Sequence, residues 1–152
     1  EVEHFITLGR QLAHLHRSRQ AHFLVSFSRR TPQNFKEAFL TAAKNVPLEI
    51  YDPLESKTSN PYFAYLGLAD HIIVTADSIS MVTEACSTGK PVYIAPLSSS
   101  IRRMPKKFQI FHQDLEKKAA TKPFLGSLEK WDVRSLQGDA ARVAQEIKDR
   151  LA

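Results

Sequence analysis

The sequence predicts a doubly wound α/β sheet, and two observations carry that expectation. Four short, continuous apolar runs, "AHFLVSF" (21–27), "PLEIYD" (47–52), "HIIVTA" (71–76) and "PVYIAP" (91–96), are separated by segments of helical period. Continuous apolar runs suit parallel strands covered on both faces, and their alternation with helices is the pattern of βαβ units. A chain of 152 residues has room for one domain and one core.

Taken in order, residues 2 to 16 repeat apolar groups at Val2, Phe5, Ile6, Gly9, Leu12, Ala13 and His16, which is helical spacing. After the first strand, "SRRTPQNF" places Thr31 as the cap of a helix whose first residue is Pro32 and whose inner face is Phe35, Ala38, Phe39 and Ala42. The second strand is followed by Asn60-Pro61, which repeats the cap-plus-proline start for a helix holding Phe63, Leu66 and Leu68. Between the third and fourth strands "SMVTEACSTG" forms a helix closed by Gly89. Beyond a serine-rich loop, Phe108, Phe111, His112, Leu115 and Ala119 mark another helix, and Gly138-Asp139 opens a last one lined by Ala140, Val143, Ala144, Ile147 and Leu151.

Composition narrows the function classes. The single cysteine, Cys86, leaves no disulfide framework and no cysteine-rich zinc site, so a reducing compartment is expected. No apolar run is long enough to span a bilayer and the first residues lack a signal-peptide pattern, so the chain reads as soluble and cytoplasmic, with a peripheral membrane location as the variant. The net charge of +5 is concentrated between Ser98 and Lys122, where Arg102, Arg103, Lys106, Lys107, Lys117, Lys118 and Lys122 face only Asp114 and Glu116. Phe108 and Phe111 are the only aromatics there, at core-like spacing, so a nucleic-acid partner is not expected. A solvated helix face plus loop is one reading of the stretch and an anionic-ligand or membrane-surface role is the other, with Arg102, Arg103, Lys106 and Lys107 expected to face an interdomain cleft or a membrane surface.

The chemistry concentrates in "TADSISMVTEACSTGKPVYIAP" (75–96), where Thr75, Asp77, Ser78, Ser80, Thr83 and Glu84 follow a run that belongs in the interior. Ligands of parallel sheets bind beyond the carboxyl ends of the strands, where loops lead into helix N-termini. The orphan N–H groups and positive dipole end of such a helix favour a phosphate. Glu84 would repel that phosphate at close range, but it shares a helix face with Ser80 about one turn (~5 Å) farther from the tip. A ribose beside a diphosphate presents two vicinal hydroxyls at that offset. The alternative is that Ser78 merely caps the helix and Glu84 is a solvated residue near the dipole. Arg29 and Arg30 in "SRRT" follow the first strand, on the same rim if the sheet is parallel, and adjacent arginines can clamp a diphosphate; exposed loop arginines are the alternative.

"SRRT", "NPYFAYLGLADHIIVTADSISMVTEACSTGKPVY" and the closing helix together resemble the elongated-mitochondria family, the plant mitochondrial fission proteins and bacterial relatives labelled predicted nucleoside-diphosphate-sugar epimerases. The resemblance covers nearly the whole chain. That family is in turn similar to the carboxyl-terminal half of GT-B glycosyltransferases, which implies a Rossmann-like doubly wound parallel sheet. It also implies that Glu84 binds the ribose of a nucleotide sugar and that Ser78, Ile79 and Ser80 meet the diphosphate; Ser28, Arg29 and Arg30 join the expected phosphate contacts on the reading of "SRRT" given above. The substrate implied is a nucleotide diphosphate sugar, with no cofactor and no metal required.

Two departures bear on that implication. The family's domain begins with a strand ending in a glycine-rich turn, whereas this sequence begins after it, at the first helix. Residues 1–152 are therefore expected to be one nucleotide-sugar-binding-like domain whose partner is the amino-terminal domain of the same longer protein, which would carry the acceptor site and any catalytic base. The epimerase label lacks its motifs, since no G-x-G-x-x-G opens a helix and no tyrosine-x-x-x-lysine pair occurs. Two functions follow: the nucleotide-sugar half of a glycosyltransferase, or a non-catalytic adaptor of the fission type that retains the fold and recruits a partner.

Other constellations are set aside. His4, His14 and His16 lack the i, i+4 spacing of a helical zinc site and read as structural. No G-x-S-x-G elbow supports serine hydrolysis. Tyr62, Phe63 and Tyr65 read as core and rim packing, with Tyr62 placed to approach a base.

Overall fold

The computed structural model describes residues 2–97 and 104–133. The fold is mixed α/β with every strand pair parallel, in two open sheets ordered β1-β2 and β3-β4-β5. Two compact units follow this division: residues 2–69 with Leu97 and Leu125–Leu128, and residues 70–96, 104–124 and 129–133. The expected last helix at 138–151 lies outside the described residues, as do Arg102 and Arg103.

The first unit contains α1 (Val2–Arg19), β1 (Phe23–Ser26), α2 (Gln33–Ala42), β2 (Leu48–Tyr51) and α3 (Tyr62–Leu68). Helix α1 runs three residues past the expected end, and its last turn holds His16, Arg17 and Arg19, cations that suit the negative end of the dipole. It buries Gly9, Leu12, Ala13 and Leu15. At Gly9 the two helices meet closely: a β-carbon there would lie 2.7 Å from the carbonyl oxygen of Phe39 and 2.8 Å from Cβ of Ala42. Phe5 packs on Phe35 with the rings tilted by 32° and 4.9 Å apart, and Phe27 meets Phe39 edge-on at 5.9 Å. Strands β1 and β2 pair with Phe23 opposite Leu48 and Ser26 opposite Tyr51.

Four expectations fail in this unit. Helix α2 begins at Gln33; Pro32 occupies the cap position without any side-chain bond, and Thr31 is not the cap. Proline at that position presents its carbonyl to Phe35 and Lys36 at 3.0 and 3.2 Å, so the chain turns into the helix one residue later than a hydroxyl cap would set it. In α3 the buried residue is Tyr65, whereas Phe63 and Leu68 are 74% and 73% exposed. Phe63 is about 200° round the helix from Tyr65, and Leu68 is its last residue. Asn60 does act at the start, with its Oδ1 accepting from the N–H of Tyr62 at 3.0 Å.

The second unit contains β3 (Ile72–Thr75), α4 (Ile79–Ser87), β4 (Val92–Ala95), α5 (Lys106–Lys117) and β5 (Thr121–Pro123). Ile72 pairs with Val92 and Val92 with Thr121. Helix α4 buries Val82, Ala85 and Cys86. Gly89 follows it with φ +72° and donates to the Cys86 carbonyl at 3.4 Å, the expected glycine stop. Tyr93 anchors the interior: it is 1% exposed, meets Phe124 and Trp131 edge-on, and its hydroxyl donates to the Glu129 carbonyl at 2.9 Å while accepting the Glu129 N–H at 2.8 Å.

Ala119 is exposed and lies outside α5, contrary to its expected place on the helix. It has φ +55°, its N–H donates to Glu116, and the next N–H, of Ala120, donates to Leu115 at 3.0 Å. This is a Schellman ending in which Ala119 holds the left-handed position, and burial of Ala120 with Leu115 sustains it. The chain then enters β5, a strand the sequence does not predict because "TKP" is short and closes on proline.

Candidate functional site

Strand β3 delivers the chain to the turn "TADSIS" at the carboxyl end of its sheet. The Ala76 N–H continues the ladder to the Ala95 carbonyl at 3.1 Å, after which the Ser78 N–H reaches back to Thr75 at a long 3.4 Å. Ser78 then occupies the cap position of α4 with φ −115° and ψ 90°, yet its side chain makes no capping bond. Position and chemistry therefore separate: Ser78 begins the helix but does not satisfy the first-turn donors. An α-helix leaves those first N–H groups without intrahelical acceptors. The exposed Asp77 and Ser80 and the half-buried Ser78 and Ile79 surround them.

Glu84 stands one turn farther along α4, on the face of Ser80, and is half-buried. Its carboxylate enters no hydrogen bond or ion pair among the described residues, so both oxygens can accept from a ligand. The other hydroxyls of the helix are engaged locally. Thr83 donates to the Ile79 carbonyl at 2.9 Å, Ser87 to Glu84 and Thr88 to Ala85, both at 2.6 Å. Cys86 is buried, and burial pushes its thiol up to about 11, which keeps it from acting as a nucleophile.

Ser28, Arg29 and Arg30 form a turn after β1 in the first unit. The Thr31 N–H bonds the Ser28 carbonyl at 3.0 Å, and the Arg30 N–H bonds the Ser28 hydroxyl at 3.2 Å. Both arginines are exposed, and their guanidinium groups make no ion pair among the described residues. The structure thus groups the predicted site residues into two sets, Ser78, Ile79, Ser80 and Glu84 on one helix and Ser28, Arg29 and Arg30 in one turn.

Sequence reasoning missed a buried ion pair in the first unit. Lys36, in the first turn of α2, is 2% exposed, and its Nζ lies 2.5 Å from Oδ2 of Asp52 and 5.6 Å from the ring centre of Phe27. Oδ1 of Asp52 accepts the Leu54 N–H at 3.0 Å. Burial pushes the Asp52 carboxyl up, but the Lys36 bond, the Leu54 N–H and the Lys36 charge outweigh it and hold it below 3.8. A lysine among "QNFKEAF" looks solvated, and the only available signal was its place on the Phe35–Phe39 face.

The basic stretch is divided. Lys118 pairs with Asp114 at 2.8 Å, and Lys122 pairs with Glu129 at 2.6 Å and lies 5.1 Å from the Trp131 ring centre. Lys106, Lys107 and Lys117 are exposed. Tyr65, expected as packing, is buried with its hydroxyl donating to Glu49 at 3.1 Å; burial and then that bond raise its pKa above 10.0. His16 donates from Nδ1 to the Ala21 carbonyl at 2.9 Å, a structural role. Among the described residues no group of three or more His, Cys, Asp or Glu could hold a metal ion, and no helix is long and apolar enough to cross a membrane.

Comparison with known proteins adds two findings. The family model described as mitochondrial fission ELM1 matches residues 1–151. Among curated proteins, the uncharacterized protein RP120 of Rickettsia prowazekii (strain Madrid E) is 39% identical over 135 residues, covering 85% of this chain and 36% of its own length. Mitochondrial fission protein ELM1 of Arabidopsis thaliana is 35% identical over 96 residues, covering 61% of this chain and 21% of its own. The chain thus spans between a fifth and about a third of these relatives. No solved structure matches.

Proposed function

We propose a nucleotide-sugar-binding role for this chain, which belongs to the mitochondrial fission ELM1 family. In this reading the α4 tip receives the diphosphate, with the first-turn N–H groups around Ser78, Ile79 and Ser80 as donors. Glu84 accepts from the two ribose hydroxyls one turn along. Ser28, Arg29 and Arg30 offer an anion-binding turn in the first unit, suited to bidentate contact with phosphate oxygens. The reaction class is sugar transfer of the GT-B kind. Donors aimed at a departing diphosphate stabilise the charge that develops as the glycosidic bond to it breaks. The acceptor and its base would be supplied by the remainder of the longer protein.

The observation that supports this reading most is the uncapped start of α4. A serine at the cap position whose side chain makes no capping bond, at the carboxyl end of a parallel sheet and one turn before a glutamate whose carboxylate has no partner among the described residues, suits an anion followed by a diol. The fission-type adaptor is the second reading, favoured by the name of the Arabidopsis relative. A thermal-shift screen of the full-length protein against UDP, GDP, ADP and CMP separates the two. A nucleotide at 100 times its dissociation constant stabilises by about 2.7 kcal/mol, which moves the unfolding temperature measurably. Silence with all four nucleotides would favour the adaptor.

A further inference from the structure

One long-range hydrogen bond holds the turn between β3 and α4 from outside. Nε2 of His112, on α5, lies 2.8 Å from the carbonyl oxygen of Ala76, 36 residues earlier in the chain. A carbonyl only accepts, so Nε2 carries the proton. In the neutral ring Nδ1 is then a bare acceptor, and it is buried without a hydrogen-bond partner among the described residues. The bond to Ala76 is thus the one polar anchor of this ring among the described residues, and the ring meets that of its neighbour Phe111 edge-to-face at 5.4 Å.

The turn has little local support of its own. The Ser78 N–H to Thr75 bond is long, at 3.4 Å, and the Ser78 hydroxyl caps nothing. Ala76 itself is 3% exposed, so its carbonyl depends on a protein partner rather than on bulk water. Because the peptide group is planar, the direction of that carbonyl also sets the direction of the Asp77 N–H and the angle at which the chain enters α4.

We propose that His112 is a positioning residue: by fixing the Ala76–Asp77 peptide it fixes the aim of the first-turn N–H groups of α4. The consequence for ligand affinity rests on the nucleotide reading above, whereas the restraint on the turn does not. An amide side chain of the right length can replace the ring, since glutamine also offers an N–H at the ε position. Leucine fills space without a donor, and asparagine is polar but too short to reach.

The test compares His112→Leu, His112→Asn and His112→Gln in the full-length protein. Hydrogen exchange without nucleotide is followed in peptides covering residues 72–82, 92–95 and 121–124. In the leucine and asparagine variants, exchange over 72–82 is expected to rise about fivefold or more while the other peptides stay within about twofold. In the glutamine variant all peptides stay within about twofold of wild type. Affinity for whichever of UDP and GDP binds should fall about tenfold with leucine and recover with glutamine. Wild-type exchange over 72–82 in both disrupting variants, a rise shared equally by all peptides, or failure of glutamine to restore protection would each overturn the assignment. If neither nucleotide binds the wild type, the nucleotide reading fails while the exchange data still decide the role of His112.

Discussion

Nζ of Lys36 and Oδ2 of Asp52 lie 2.5 Å apart, with side chains only 3% and 9% exposed, and they join the start of α2 to the end of β2. Breaking a buried pair leaves one charge without compensation, so Lys36→Met should destabilise the protein by about 3 to 5 kcal/mol at pH 7. Lys36→Met with Asp52→Asn should cost less than the single change, because asparagine keeps an acceptor for the Leu54 N–H without the charge. Urea unfolding of the two variants measures the difference.

The same pair gives a pH signature. The Asp52 carboxyl is held below 3.8 in the folded chain, so its contribution is complete above its unfolded value of about 3.9 and is lost as the pH falls through the lower folded value. In Lys36→Met the buried carboxylate has lost its cation, its folded pKa rises, and acidification towards pH 4 should narrow the stability gap to wild type. A gap that widens on acidification would show that Lys36 acts otherwise.

Glu84→Gln keeps one acceptor, loses the charge and leaves no cavity. Nucleotide affinity should drop by about 1 to 3 kcal/mol while the unfolding midpoint stays put. A 2',3'-dideoxynucleotide should bind the wild type weakly and lose little more with the variant, since the partners of the carboxylate are already gone. Equal ratios of the two ligands in both proteins would remove Glu84 from the ribose site.

Gly9→Ala puts a β-carbon 2.7 Å from the Phe39 carbonyl oxygen, where backbone cannot give way cheaply. A loss of about 1 to 3 kcal/mol is expected on thermal unfolding.

Ala119→Gly should act in the opposite direction. Its φ of +55° strains alanine and suits glycine, and relief of that strain exceeds the added entropy of the unfolded chain. A gain of about 0.5 to 1 kcal/mol should appear in the same measurement.

Reversing the charge of Lys106 and Lys107, with Arg102 and Arg103, should weaken binding of the full-length protein to vesicles rich in phosphatidylserine and spare nucleotide affinity. Vesicle binding that does not change returns these residues to the solvated surface.

Much of this was legible in one dimension because the signals are local. The four apolar runs, the period of α1 and the glycine stop at Gly89 depend on neighbours within a few residues, and each appears where its pattern places it apart from the three further residues of α1. "TADSIS" followed by Glu84 was legible for the same reason, since strand, turn and helix tip are contiguous. The capping of Ser78 was not, because whether a hydroxyl bonds to the helix or leaves its donors free turns on a few tens of degrees at one residue.

The order of elements from α1 to α5 and the residues offered at the end of β3 were thus determined by the sequence itself, through hydrophobic period and turn chemistry. Tertiary structure alone decided which polar groups are held in the interior. It set Lys36 against Asp52 across 16 positions and His112 against Ala76 across 36, and it gave "TKP" a place as β5 beside Val92 and Ile94. The physical reason is that burying a polar group is favourable only when a partner from a distant segment meets it, and no local pattern records where that partner comes from.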